Sequence, residues 1–77
     1  MNLKETIKKL NAMEGKTLLR VVFTDGEELT GVFTEYTSAG DNDEGIASID
    51  VTEKSTSREY SLFEDEIAEI HAATKQK

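Results

Sequence analysis

Leu19-Arg20-Val21-Val22-Phe23-Thr24-Asp25-Gly26-Glu27-Glu28-Leu29-Thr30-Gly31-Val32-Phe33 holds two β-branched and aromatic runs on either side of an Asp-Gly pair. Such an arrangement predicts a β-hairpin. The length of its loop decides which residues share a face. A two-residue Asp25-Gly26 loop would set Phe23 against Glu28 and Val21 against Thr30, mixing apolar and polar side chains on both faces. A three-residue loop, Thr24-Asp25-Gly26 with Gly26 left-handed at the bulge position, sets Phe23 against Glu27 and Val21 against Leu29. Leu19, Val21, Phe23, Leu29, Gly31 and Phe33 then gather on one side, with Arg20, Thr24, Glu28, Thr30 and Thr34 on the other. One residue of slip would turn the whole apolar set outward, so the bulged turn is expected.

Upstream, Leu3, Ile7, Leu10 and Met13 recur at helical spacing, while Lys4, Glu5, Lys8, Lys9 and Asn11 fill the opposite face. An amphipathic helix is expected over about residues 2–14, capped by Asn2 with Glu5 three residues on, and ended by Gly15 in a left-handed conformation. Its apolar stripe is expected to pack on the hairpin face built from Leu19, Val21, Phe23, Leu29 and Phe33. Downstream, residues 38–45 read as a polar, glycine-bounded loop, and Ala47, Ile49 and Val51 alternate with Ser48, Asp50 and Thr52 as a strand. A turn at Lys54 to Thr56 leads into a fourth strand, Arg58 to Phe63, with Tyr60 and Leu62 facing one way. Phe63, Ile67 and Ile70 suit either a helix or a tight turn followed by a strand.

The chain has 77 residues and no cysteine or proline. A chain this short buries only about 60–65% of its unfolded surface, so its core is small. The lack of thiols excludes thiolate metal sites and thiol catalysis and fits a reducing compartment, so a cytoplasmic location is expected. The first fifteen residues alternate lysines with apolar side chains and hold no continuous apolar run, so neither a signal peptide nor a membrane span is expected there. The net charge of −7 is unevenly distributed: residues 1–20 carry +3 and residues 21–77 carry −10. Since nucleic-acid affinity rests mainly on Lys and Arg displacing counterions, only the helix is suited to phosphate backbones.

The order of elements, a helix, an apolar strand, Asp25-Gly26, then Gly31 and an apolar residue at Phe33, reproduces the first half of the Sm motif. In this respect the chain resembles the Sm-like family, and especially its small Gram-positive members, over roughly residues 3–72. The resemblance implies an α+β domain spanning residues 1–77: an N-terminal helix packed on a strongly bent five-stranded antiparallel barrel over about 16–73, with a short disordered tail at 74–77. It implies that strand two bends at Gly31, that Phe63 to Glu66 is a turn of tight helix, and that Ala68 to Ala72 is the closing strand. It implies assembly through the edges of the last two strands, about Thr56 to Leu62 and Ala68 to Ala72, where Glu59 and Glu69 could equally act as gatekeepers. Where the family carries an acid after the second glycine this chain has Thr37, and where it carries an arginine-glycine pair this chain has Phe63-Glu64-Asp65-Glu66.

The candidate contacts to nucleic acid or a partner are Lys4, Lys8 and Lys9 on the helix, Asn42 in the loop, and Tyr36 as a stacking platform. Family likeness favours RNA; the charge balance favours a protein partner or a second copy, with basic helix against acidic barrel. Asp41, Asn42, Asp43 and Glu44 offer oxygen ligands but lack the alternating spacing of a calcium loop, so no metal is expected. His71 is the only histidine, and no nucleophile motif or phosphate loop accompanies it. No catalytic residue, cofactor, membrane contact or small-molecule substrate is expected, and the reading is a non-catalytic interaction module.

Overall fold

The hairpin forms with the bulged turn. Val21 stands opposite Leu29 and Leu19 opposite Gly31, while Phe23 N–H donates to Glu27 C=O at 2.8 Å and Gly26 lies at φ 92°. A computed structural model describes residues 1–73; the tail expected at 74–77 lies outside the described residues. One helix, α1 (Leu3–Lys9), precedes five strands, β1 (Leu18–Phe23), β2 (Glu28–Thr37), β3 (Ser48–Glu53), β4 (Glu59–Phe63) and β5 (Ile67–Ala72). The strands pair antiparallel in the order β4-β3-β2-β1-β5, giving an α+β arrangement. The sheet is not closed, because β4 and β5 form its opposite edges. Register shifts at Val22/Phe23 and at Phe33/Glu35 mark bulges, which bend the strands that carry them. A 3-10 turn, Glu64–Glu66, joins β4 to β5, so the ambiguous tail is a turn followed by a strand.

Gly31 sits where β2 is paired on both sides, with Leu19 on β1 and Glu53 on β3. A Cβ at this position would clash with the main-chain oxygen of Thr52 and lie 2.6 Å from Val51 Cγ1. Glycine is needed here for close approach. The strand behind it is then held tightly enough for Phe33, Ile49 and Val51 to be buried together with Leu19 and Val21.

Helix α1 supplies Leu3 and Ile7 to this core, with Leu10, Phe23 and Leu29 half-buried against it. Fully burying a Leu or Ile side chain contributes about 1.5–3 kcal/mol, so two such anchors dock a seven-residue helix that would not persist alone. The helix is shorter than the expected 2–14, and Met13 is 56% exposed rather than part of the buried stripe. Asn11, not Gly15, ends it. Asn11 adopts φ 53°, its N–H donates to Lys8 C=O at 3.0 Å, and Ala12 N–H reaches back to Ile7 C=O at 3.2 Å. That pair of bonds is the Schellman arrangement, which asparagine supports because it tolerates the left-handed region. Gly15 serves the following turn, where its N–H donates to Phe33 C=O at 2.7 Å and Phe33 N–H donates to Thr17 C=O at 2.8 Å. Extending the helix to residue 14 would forfeit this clamp on β2.

Gly31→Ala is expected to lower the free energy of unfolding by about 1–3 kcal/mol, the usual cost of overpacking, read as a fall in the urea midpoint. Ile7→Asp buries an unpaired charge and is expected to abolish the cooperative unfolding transition. Met13→Asp, at an exposed side chain, is expected to shift stability by no more than about 0.5 kcal/mol in the same assay.

Candidate functional site

Lys4, Lys8 and Lys9 are all exposed on α1, and none of them forms an ion pair among the described residues. Lys4 and Lys8 are four residues apart, so they stand on one side of the helix, one turn from each other. The helix is anchored at its start from two directions. Asn2 Oδ1 accepts from Glu5 N–H at 3.0 Å, and Glu64 Oε2 accepts from Leu3 N–H at 2.7 Å across a sequence separation of 61 residues. Glu64 therefore positions the lysine-bearing helix from the turn between the two edge strands.

Asn42 and Tyr36 belong to a different part of the molecule, the end of the β2–β3 pair. Asn42 Nδ2 donates to Ile46 C=O at 2.7 Å and to the hydroxyl of the buried Ser48 at 2.9 Å. Both amide hydrogens of Asn42 are thus used to fasten the loop onto β3, so they are not available to hold a base. Tyr36 is half-buried against the core opposite Ile49, and Tyr60 is half-buried with its hydroxyl donating to Glu53 Oε1 at 3.4 Å. The expected set of five contact residues divides into three free cations on α1 and two side chains occupied in structure.

The outer face of the sheet separates into two electrostatic halves. On β1, β2 and β5, Arg20 pairs with Glu28 at 3.3 Å, and His71 Nε2 lies 2.7 Å from Glu69 Oε1. On β2, β3 and β4 the charges are all negative: Glu35 stands directly opposite Asp50, and Glu59 Oε2 accepts from Thr34 Oγ1 at 3.4 Å. Among the described residues no three His, Asp or Glu side chains converge on a metal-binding arrangement. Exposed pairs such as His71 with Glu69 contribute about 0–1 kcal/mol.

The surface also carries two grooves. One, of about 480 Å³, is lined by Thr30, Glu53, Lys54 and Ser55, and its Glu53 carboxylate is occupied by the Thr56 hydroxyl at 2.7 Å. The other, of about 550 Å³, lies at the end of α1 and is lined by Ile7, Lys8, Asn11, Ala12 and Met13. The sequence places Met13 in the apolar stripe and Glu64 in a turn, but not the exposure of the one or the helix contact of the other: a helix to residue 14 would bury Met13, and no local pattern links Glu64 to Leu3.

Both sheet edges present main-chain groups outward. Glu53 N–H donates to Arg58 C=O at 2.7 Å and Glu64 N–H to Ala47 C=O at 2.8 Å, which fixes the residues of β4 that face β3. Antiparallel alternation then turns the main-chain groups of Glu59, Ser61 and Phe63 to the open side. On β5, Ala73 N–H donates to Leu18 C=O at 2.8 Å, and the same alternation turns Ile70 and Ala72 outward. Among the described residues, no helix is long and apolar enough to cross a membrane.

Comparison of the chain with family models, with curated proteins and with solved structures gave no match.

Asn42→Ala is expected to destabilise the protein by about 1–3 kcal/mol, because the buried Ser48 hydroxyl and the Ile46 carbonyl lose their donor. Thermal unfolding measures this loss, and hydrogen exchange is expected to rise over residues 38–48.

Proposed function

We propose that the chain is a non-catalytic, Sm-like interaction module whose sheet, curled as a small barrel, pairs edge to edge with a protein strand, in the first instance that of another copy. The observation that carries this reading is the position of β4 and β5 at the two open edges, each with main-chain donors and acceptors turned outward. Unpaired edges of this kind template strand addition, in which main-chain bonds give affinity and alternate side chains give selectivity. The strand order, the glycine at residue 31 and the short turn before β5 support the Sm-like part of the reading. The acids at Glu64, Asp65 and Glu66 and the committed amide of Asn42 favour protein over RNA as the partner. A second reading, RNA bound on the helix side, rests on the exposure of Lys4, Lys8 and Lys9 without intramolecular partners.

Solution mass separates the two. At about 0.5 M salt, where the screening length is only a few ångström, the protein is expected to exceed the 8.6 kDa of one chain and to keep that mass when short RNA oligomers are added. Ala72→Pro removes an outward N–H from β5 without breaking a bond to β1, so it is expected to yield folded monomer under those conditions. A monomeric wild-type protein would count against edge pairing. Binding of RNA that weakens steeply with salt and disappears in Lys8→Glu with Lys9→Glu would establish the second reading.

A further inference from the structure

The groove at the end of α1 combines features that a solvated polar face does not have. Its apolar lip, Met13, is 56% exposed, yet the main chain beneath it is fixed. Met13 N–H donates to the Thr17 hydroxyl at 2.8 Å, and Met13 C=O accepts from Lys16 N–H and Thr17 N–H, both at 3.0 Å. With its backbone already fixed, Met13 gives up only side-chain freedom when it is covered, and the thioether adapts to an irregular surface. Lys8 lines the same groove, with Lys4 one turn away on the same helix side.

On the outer face of the sheet, Glu35 and Asp50 are forced together by the register after the β2 bulge, where they stand directly opposite on neighbouring strands. Like charges in that position repel. Glu59 adds a third carboxylate at Thr34, and no cation among the described residues pairs with any of the three. One chain thus carries a cationic pair without anions and an anionic pair without cations. Their spacings match: Lys4 and Lys8 are separated by about 6 Å of helix rise, and opposed residues on paired strands by about 5 Å.

We infer that the Met13 groove docks a second copy of this chain, with Lys4 and Lys8 of one protomer set against Glu35 and Asp50 of the next. The occupant follows from charge complementarity: residues 21–77 carry −10 and residues 1–20 carry +3. A nucleic acid would meet an overall charge of −7 and would leave Met13 without a complement. The contact joins two different surfaces, so it is heterologous and propagates into a ring or an open row. It is separate from the sheet edges and stands whether or not those pair.

Sedimentation of the full chain at about 0.01 M salt, where charges act over roughly 30 Å, tests this, with Ala72→Pro present so that edge pairing does not contribute. Self-association is expected there and is expected to weaken at least about tenfold on moving to about 0.5 M salt. Lys4→Glu with Lys8→Glu, and separately Glu35→Lys with Asp50→Lys, are each expected to remain monomeric with unchanged circular dichroism. An equimolar mixture of the two is expected to associate again, because each reversed patch meets its complement. Met13→Ser is expected to weaken association several-fold without altering the salt dependence. Salt-independent association, a mixed pair that stays monomeric, or a Met13→Ser variant that associates like its parent would overturn the inference. So would Lys4→Glu with Lys8→Glu losing RNA binding while self-association persists.

Discussion

The approach of β2 to β3 at Gly31 sets the position of nearly everything else. β2 is the middle strand of five, and at Gly31 it is bonded on both sides with no space for a Cβ against the Thr52 main chain. Two residues later, Phe33 is buried while its backbone is used twice outside the sheet, accepting from Gly15 N–H and donating to Thr17 C=O. The chain leaving α1 is therefore fastened to the central strand before β1 begins. Where the helix can lie is decided by this clamp together with the Schellman turn at Asn11. The two buried anchors, Leu3 and Ile7, then fill the face that the hairpin register creates.

The hairpin was legible because its alternatives differ in kind. Side chains alternate along a strand, so a change of one residue in loop length would put Leu19 and Val21 on the opposite face from Phe33, and only one loop keeps all three together. Helix length had no comparable constraint. Leu10 and Met13 continue the apolar spacing, and glycine is the commoner left-handed terminator, yet Asn11 satisfies the same geometry four residues earlier and lets Gly15 bond to β2. Propensity loses here to a tertiary hydrogen bond that lies outside any local window. The bonds of Asn42 to Ile46 and Ser48 were not legible for a related reason: a loop's internal bonds follow from its closure, not from its composition. The three lysines were readable as exposed, since a helix with a narrow buried stripe leaves its remaining faces to solvent.

Charge follows the same logic of placement. The bulge that lets β2 bend after Phe33 also brings Glu35 opposite Asp50, whereas the regular pairing of β1 with β2 sets Arg20 beside Glu28. A backbone irregularity thus leaves one half of the sheet balanced and the other acidic. The composition of the chain contains the imbalance between its ends, but its localisation is a product of register.

The 3-10 turn at Glu64–Glu66 ties these features together. Its first residue donates its N–H to Ala47 C=O at the start of the β3 side, and its carboxylate accepts from Leu3 N–H at the start of the helix. Its last residue accepts from Thr24 N–H in the hairpin loop. Three residues therefore join the helix, β3 and the hairpin while linking the two edge strands. A bond from a carboxylate to a helical N–H is charge-assisted and stronger than a neutral one, and here it is partly shielded from water. The acids that stand in place of an arginine-glycine pair thus have a mechanical use, since Glu64 holds the helix that carries the lysines. Substituting a cation at Glu64 would set a positive charge against the positive end of the helix and loosen the lysine-bearing surface from the sheet.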